Sequence, residues 1–130
     1  MPRRTVQPKR RWGLEPEEWD AAKVRLRGAL ADAGAARSTI TYGEAARVAF
    51  GGRFSARSGA LMDLLGEVDS EEAAERGVMV ASLVVRKDSG VPGDGYFAFA
   101  RDVLDRDVSD RERFWREEAS AVWNAYAGER

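Results

Sequence analysis

The side chains in this sequence that can do chemistry lie between Ile40 and Tyr96. Arg57 stands at the start of a helical stretch and is followed by Ser58, Gly59 and Ala60. Three small side chains in a row let a backbone approach another surface closely, and an arginine beside them can grip phosphate or a base edge. The alternative for this segment is a structural helical hairpin in which Gly59 serves packing. Arg86 and Lys87 close an apolar run just ahead of the turn Asp88-Ser89-Gly90, where cations can reach a phosphate or simply face solvent. Gly90, Gly93 and Gly95 could cradle an anion with backbone N–H groups, but the spacing of a nucleotide-binding loop is missing and a tight structural loop is the plainer account. Asp88, Asp94 and Glu67 are the carboxylates from which a magnesium-dependent nuclease would be built. No spacing among them demands a metal, and turn and capping duties explain them.

The chain contains no Cys and no His. Disulfides, thiolate metal sites and thiol nucleophiles are therefore excluded, and the commonest general base is missing. No motif calls for a cofactor. With 130 residues the chain suits one domain, and 44% hydrophobic against 33% charged residues describes a globular protein expected in the cytoplasm, with no membrane span. Of the 21 basic side chains, five (Arg3, Arg4, Lys9, Arg10 and Arg11) fall in residues 1–11, leaving 16 against 22 acidic ones. A basic arm on an acidic body can follow a phosphate backbone or remain a solvated terminus; any binding face on the body itself must be local.

The elements that must position these residues follow from capping and periodicity. Residues 1–13 read as a flexible arm and residues 14–130 as a single domain. Pro16, Glu17 and Glu18 suit the first turn of a helix that Gly34 ends, with Trp19, Ala22, Leu26, Ala29, Leu30 and Ala33 on its buried face. Thr41 with Glu44 is a capping box for a helix from Tyr42 to Phe50, which Gly51-Gly52 stops. Ser55 is expected to cap the next helix, whose core stripe is Leu61, Leu64, Leu65 and Val68, with a separate helical turn at Ser70 to Arg76. Asp69, Glu71, Glu72 and Glu75 read as a solvated acidic face. Val78 to Val85 is the expected strand, with a return strand starting at Val91 and a loop over Pro92 to Gly95. A helix is expected from Tyr96 to about Leu104. Ser109 with Glu112 should open a last one reaching Tyr126, anchored by Phe114, Trp115, Val122 and Trp123. Trp12, Trp19, Trp115 and Trp123 are expected in the core where the first and last helices pack, although Trp12, beside the arm, is the one that can instead stack on a base or a partner.

Two short helices across a Gly-containing break, then a strand and a basic turn, follow the order of a winged helix-turn-helix. The strings ITYGEAARVAF, SARSGALMDLL and VMVASLVVRKDSG together resemble the C-terminal DNA-binding domain of the alkylguanine-DNA alkyltransferases and the non-catalytic alkyltransferase-like proteins, over roughly residues 38–96. The resemblance implies that Tyr42 helps rotate a nucleotide out of the duplex and that Arg57 fills the space left behind. The helix from about Ala56 would then lie in the minor groove. Ala81 and Ser82 stand where that family carries its reactive Cys and its His, Leu61 replaces a Gly, and Asp63 would repel phosphate if exposed. Alkyl transfer needs a thiolate, so the implied activity is binding without catalysis, with a flipped or damaged nucleotide as its target. The expected fold is thus α+β and mostly helical, a winged helix-turn-helix-like core with flanking N- and C-terminal helices. The expected partner is double-stranded DNA, bound by Tyr42, Arg57, Ser58, Gly59, Arg86, Lys87 and the basic arm. The alternative is a protein-interaction module, an adaptor or inhibitor, and a nuclease comes third.

Overall fold

Pro16 opens the first helix, α1 (Pro16–Ala35), and Glu15 and Glu18 bond reciprocally across its first turn in a capping box. The structure, a computed structural model, describes residues 10–127. Strand β1 (Ile40–Thr41) leads directly into α2 (Tyr42–Phe50), whose expected Thr41–Glu44 capping box is formed. Helix α3 (Gly59–Arg76) follows, then a 3₁₀ turn (Val80–Leu83), β2 (Val84–Val85), α4 (Asp94–Asp102) and α5 (Arg111–Tyr126). The fold is α+β and mostly helical. Its small sheet pairs β1 with β2 in parallel, Ile40 opposite Val84 and Thr41 opposite Val85. Leu26 and Leu30 of α1, Leu61, Leu64 and Val68 of α3, Met79, Leu83 and Val84, and Val122 of α5 meet in one core at about zero exposure. Removing such side chains from water is the main stabilising term.

Several expectations are corrected. Residues 10–13 belong to the fold rather than to a free arm. Arg11 and Leu14 exchange backbone hydrogen bonds of 3.1 and 2.8 Å around a two-residue turn. Ser58, not Ser55, caps α3 by accepting from the N–H of Leu61, so Arg57 lies just before the helix. The acidic turn at Ser70 to Arg76 is the end of α3 itself. At α5 the cap is Asp110, which accepts from Arg113, while Ser109 donates its N–H to Asp107. Helix α4 begins two residues earlier than expected, at Asp94.

The segment 78–85 is buried throughout, but only its last two residues pair as a strand, and no return strand follows. An apolar run signals burial without specifying what its backbone does. Here the backbone groups that a ladder would have satisfied are met by side chains. Asp69 accepts from the N–H of Ala81 at 2.8 Å, Glu118 accepts from Met79 at 3.4 Å, and the Trp115 indole donates to the carbonyl of Ser82 at 2.8 Å. This explains why Asp69 turns inward; Glu72, also buried, instead meets Arg27, so the two are not a solvated face. Glu71, Glu72 and Glu75 all face Arg27 of α1, and Glu67 and Glu71 share Lys23.

The tryptophans divide differently from expectation. Trp19 is buried, with its ring against Phe50 of α2 and its N–H on Glu67 of α3, whereas Trp12 is half exposed rather than in the core. Trp115 and Trp123 are partly buried, the latter donating to the carbonyl of Ser38.

Candidate nucleic-acid interface

Thr41, at the junction of β1 and α2, and Gly93, at the start of α4, bring two chain segments against a third, Ala56-Arg57, which leads into α3. Between them lies a cleft of about 770 Å³. Tyr42, Arg57, Arg86 and Lys87, all expected site residues, line it together with Arg47 and Met62. Tyr42 is the first residue of α2, placed there by the Thr41 cap. Its hydroxyl accepts from the N–H of Gly93 at 3.0 Å, leaving its own proton to be donated. Burial raises the Tyr42 hydroxyl above its ordinary range, so it stays protonated.

The charges in the cleft are unevenly engaged. Arg86 pairs with Asp88 at 3.0 Å within its own turn, which closes through Arg86 N–H to Val91 and Gly90 N–H to Arg86. Glu44 is held by Thr41. Among the described residues, the side chains of Arg47, Arg57 and Lys87 make no ion pair, hydrogen bond or ring contact, and all three line this cleft. The other described cations are engaged, for example Arg25 with the carbonyls of Val48 and Ala49, and Arg53 with the carbonyl of Gly13. Three arginine or lysine heads without partners make a site for an anion with several charges.

Ser58 and Gly59 have other duties. Ser58 is the α3 cap, and a Cβ on Gly59 would lie 2.3 Å from the Trp12 ring, so the small-residue run is already occupied by the protein's own indole. Ala60 is fully buried. Arg10 pairs with Glu15 and Arg11 with Glu67, both inside the fold. Arg3, Arg4 and Lys9 lie outside the described residues. Asp63 is exposed and accepts the Trp12 indole N–H at 2.9 Å.

A second pocket of about 260 Å³ adjoins the cleft and shares Tyr42, Met62 and Gly95 with it. Its walls include Ala81, Tyr96, Phe99 and the buried carboxyl of Asp69. Burial pushes Asp69 up to about 7, with the Glu118 and Glu72 carboxylates adding to the shift and the Ala81 N–H opposing it. Ser82 is tied to the Tyr96 hydroxyl at 2.5 Å, beside Ala81 but turned inward.

The three carboxylates considered for a metal are not brought together. Glu67 is held by Lys23, Arg11 and Trp19, Asp88 by Arg86, and Asp94 by Arg111. Among the described residues no cluster of three or more acidic side chains could hold a metal ion. No helix among them is long and apolar enough to cross a membrane.

Sequence reasoning missed Arg47 and Asp69. Arg47 had a weak signal, being the one cation on α2, opposite its Ala45, Ala46 and Ala49 stripe. No family model, curated protein or solved structure matches the chain.

Proposed function

We propose that this chain binds duplex DNA without catalysis, seating the phosphate backbone in the cleft between α2, the Ala56-Arg57 segment and the Arg86–Asp88 turn. One observation carries the reading: on an acidic body whose other described cations are engaged internally, Arg47, Arg57 and Lys87 are left without partners in a single cleft. Phosphate contacts of this kind supply affinity and make it sensitive to salt. The pocket behind Tyr42 supports the finer reading taken from the alkyltransferase resemblance, a nucleotide rotated from the duplex past Tyr42. Ala81, at the position of that family's reactive Cys, lines the same pocket. No thiol is present for the alkyl transfer itself.

The other two readings fare less well. An adaptor working through its acidic surface loses much of that surface, because Asp69 and Glu72 are buried and Glu67 and Glu71 are paired. A magnesium-dependent nuclease lacks a carboxylate cluster among the described residues.

The test is fluorescence anisotropy with a labelled duplex across a salt series. Arg57→Ala and Lys87→Ala should each weaken binding about tenfold at low salt and each reduce the salt slope by about one. Absence of wild-type binding at low salt would sink the proposal and favour a protein partner.

A further inference from the structure

Trp12 is held in a costly way for a surface residue. It and Gly13 are the two central residues of the Arg11–Leu14 turn, and both have positive φ, 54° and 77°. Such turns favour Asn, Asp or Gly, and a bulky side chain at positive φ is strained. Turn formation alone does not ask for tryptophan here.

The ring is nevertheless fixed in one place. Its six-membered part rests on Gly59, where any Cβ would collide with it, and its N–H is bonded to Asp63. Arg11 on Glu67 and Arg53 on the carbonyl of Gly13 brace the turn from both sides. Half of the residue's surface still faces solvent. A rigid, exposed indole is a ready surface for a flat partner, since little side-chain freedom remains to be lost on contact.

Its neighbours identify the partner. Asp63, which accepts the indole N–H, lines the pocket that adjoins the cleft, and Met62 lines both. We propose that Trp12 is a stacking platform for an unpaired nucleobase at the edge of this cleft, so that the protein favours DNA in which a duplex meets a single strand. This rests on the cleft as the phosphate site. The phosphates of the duplex would be held by the cleft cations, and the first unpaired base would lie on the indole. Stacking of a base on an aromatic ring is tolerant of base identity.

The experiment compares three labelled probes on the full chain: a blunt duplex, the same duplex with a short single-stranded overhang, and that overhang made abasic. The wild type should bind the base-bearing overhang about tenfold more tightly than the abasic one. Trp12→Leu should abolish this preference and leave blunt-duplex affinity unchanged, whereas Trp12→Phe should keep most of it. Circular dichroism melts confirm that both variants fold. Equal affinity of the wild type for the two overhangs, or a preference that survives Trp12→Leu, overturns the platform. Lys87→Ala, by contrast, should weaken all three probes alike, and its failure to do so on a blunt duplex counts against the cleft, not the platform.

Discussion

Asp69 sits where the apolar stripe of α3, running through Leu61, Leu65 and Val68, calls for another hydrophobic side chain. The stripe was visible in the sequence, and its continuation through Asp69 and Glu72 was the available sign that these acids turn inward. The reason was not visible, because for Asp69 it lies in the unladdered backbone of residues 78–83 that needs acceptors, and for Glu72 in Arg27 of a distant helix. The consequence is a pH dependence. Unfolded, Asp69 loses its proton near 3.8, and folded, near 7. Between those values the native state holds the extra proton, so stability falls as pH rises through this window and levels off above it. Glu118 and Glu72 sharpen the effect and Arg106 opposes it. Asp69→Asn, whose amide oxygen can still accept from Ala81, should flatten the decline by on the order of 2 kcal/mol in denaturant melts at pH 5 and pH 8. An unchanged pH profile would show that Asp69 does not carry the titration. The cap made the position of Tyr42 at the start of α2 legible, while its candidacy as a site residue came from the alkyltransferase resemblance. Gly59 was legible as a place of close approach, but its occupant, Trp12, lies 47 positions away and left no local mark.

At the scale of elements, α2 was read correctly at both ends, whereas the caps expected for α3 and α5 and the stop expected for α1 were each misplaced. Helix α2 has the limits its capping box and Gly51-Gly52 required, and α1 runs two residues past Ala33 because Gly34 lies inside it. Gly34 is there for a crossing, not a stop: a Cβ would come within 2.9 Å of the Tyr126 Cβ on α5. Since that neighbour is next to the backbone and cannot swing away, Gly34→Ala should cost about 1–3 kcal/mol by chemical denaturation. A neutral Gly34→Ala would mean that α1 and α5 can separate freely. The seam between α1 and α3 obeys a different rule. The Glu72 side chain is only 4% exposed, and Arg27 supplies its close partner at 2.6 Å. Arg76 Nε is within ion-pairing distance of the other oxygen, at 3.2 Å, yet is not aligned to hydrogen-bond it. Removing Arg27 leaves a buried carboxylate poorly compensated, so Arg27→Ala should destabilise by roughly 2–4 kcal/mol, and Arg27→Ala with Glu72→Gln by less than Arg27→Ala alone. Strong periodicity thus made the helices readable, whereas the partners across each seam depended on contacts between distant residues.

For the whole molecule, the distribution of charge decides whether a chain of net charge −1 can hold DNA. Most cations of the body are spent on its own acids: α1 and α3 are joined by Lys23 and Arg27, and α5 carries Arg113–Glu117 and Arg116–Glu112 pairs. The exposed pairs on α5 add little stability, unlike the partly buried Arg27 seam, but all of these pairs cancel the field that a free arginine would project. What is left for a polyanion among the described residues is the cleft trio, and outside them residues 1–9 carry Arg3, Arg4 and Lys9. These two sources separate in the salt dependence of binding, because each lost phosphate contact lowers the slope by about 0.9. Replacing Arg47, Arg57 and Lys87 together with Ala should reduce the slope by about 3 and weaken duplex binding at low salt by at least a hundredfold. Deleting residues 1–9, which spares the Arg11–Leu14 turn and its Trp12, should reduce it by no more than about 3 and leave specific loss at Arg57 still measurable. If the deletion abolishes binding while the triple variant keeps the wild-type slope, the arm alone holds the DNA and the cleft must serve another anion.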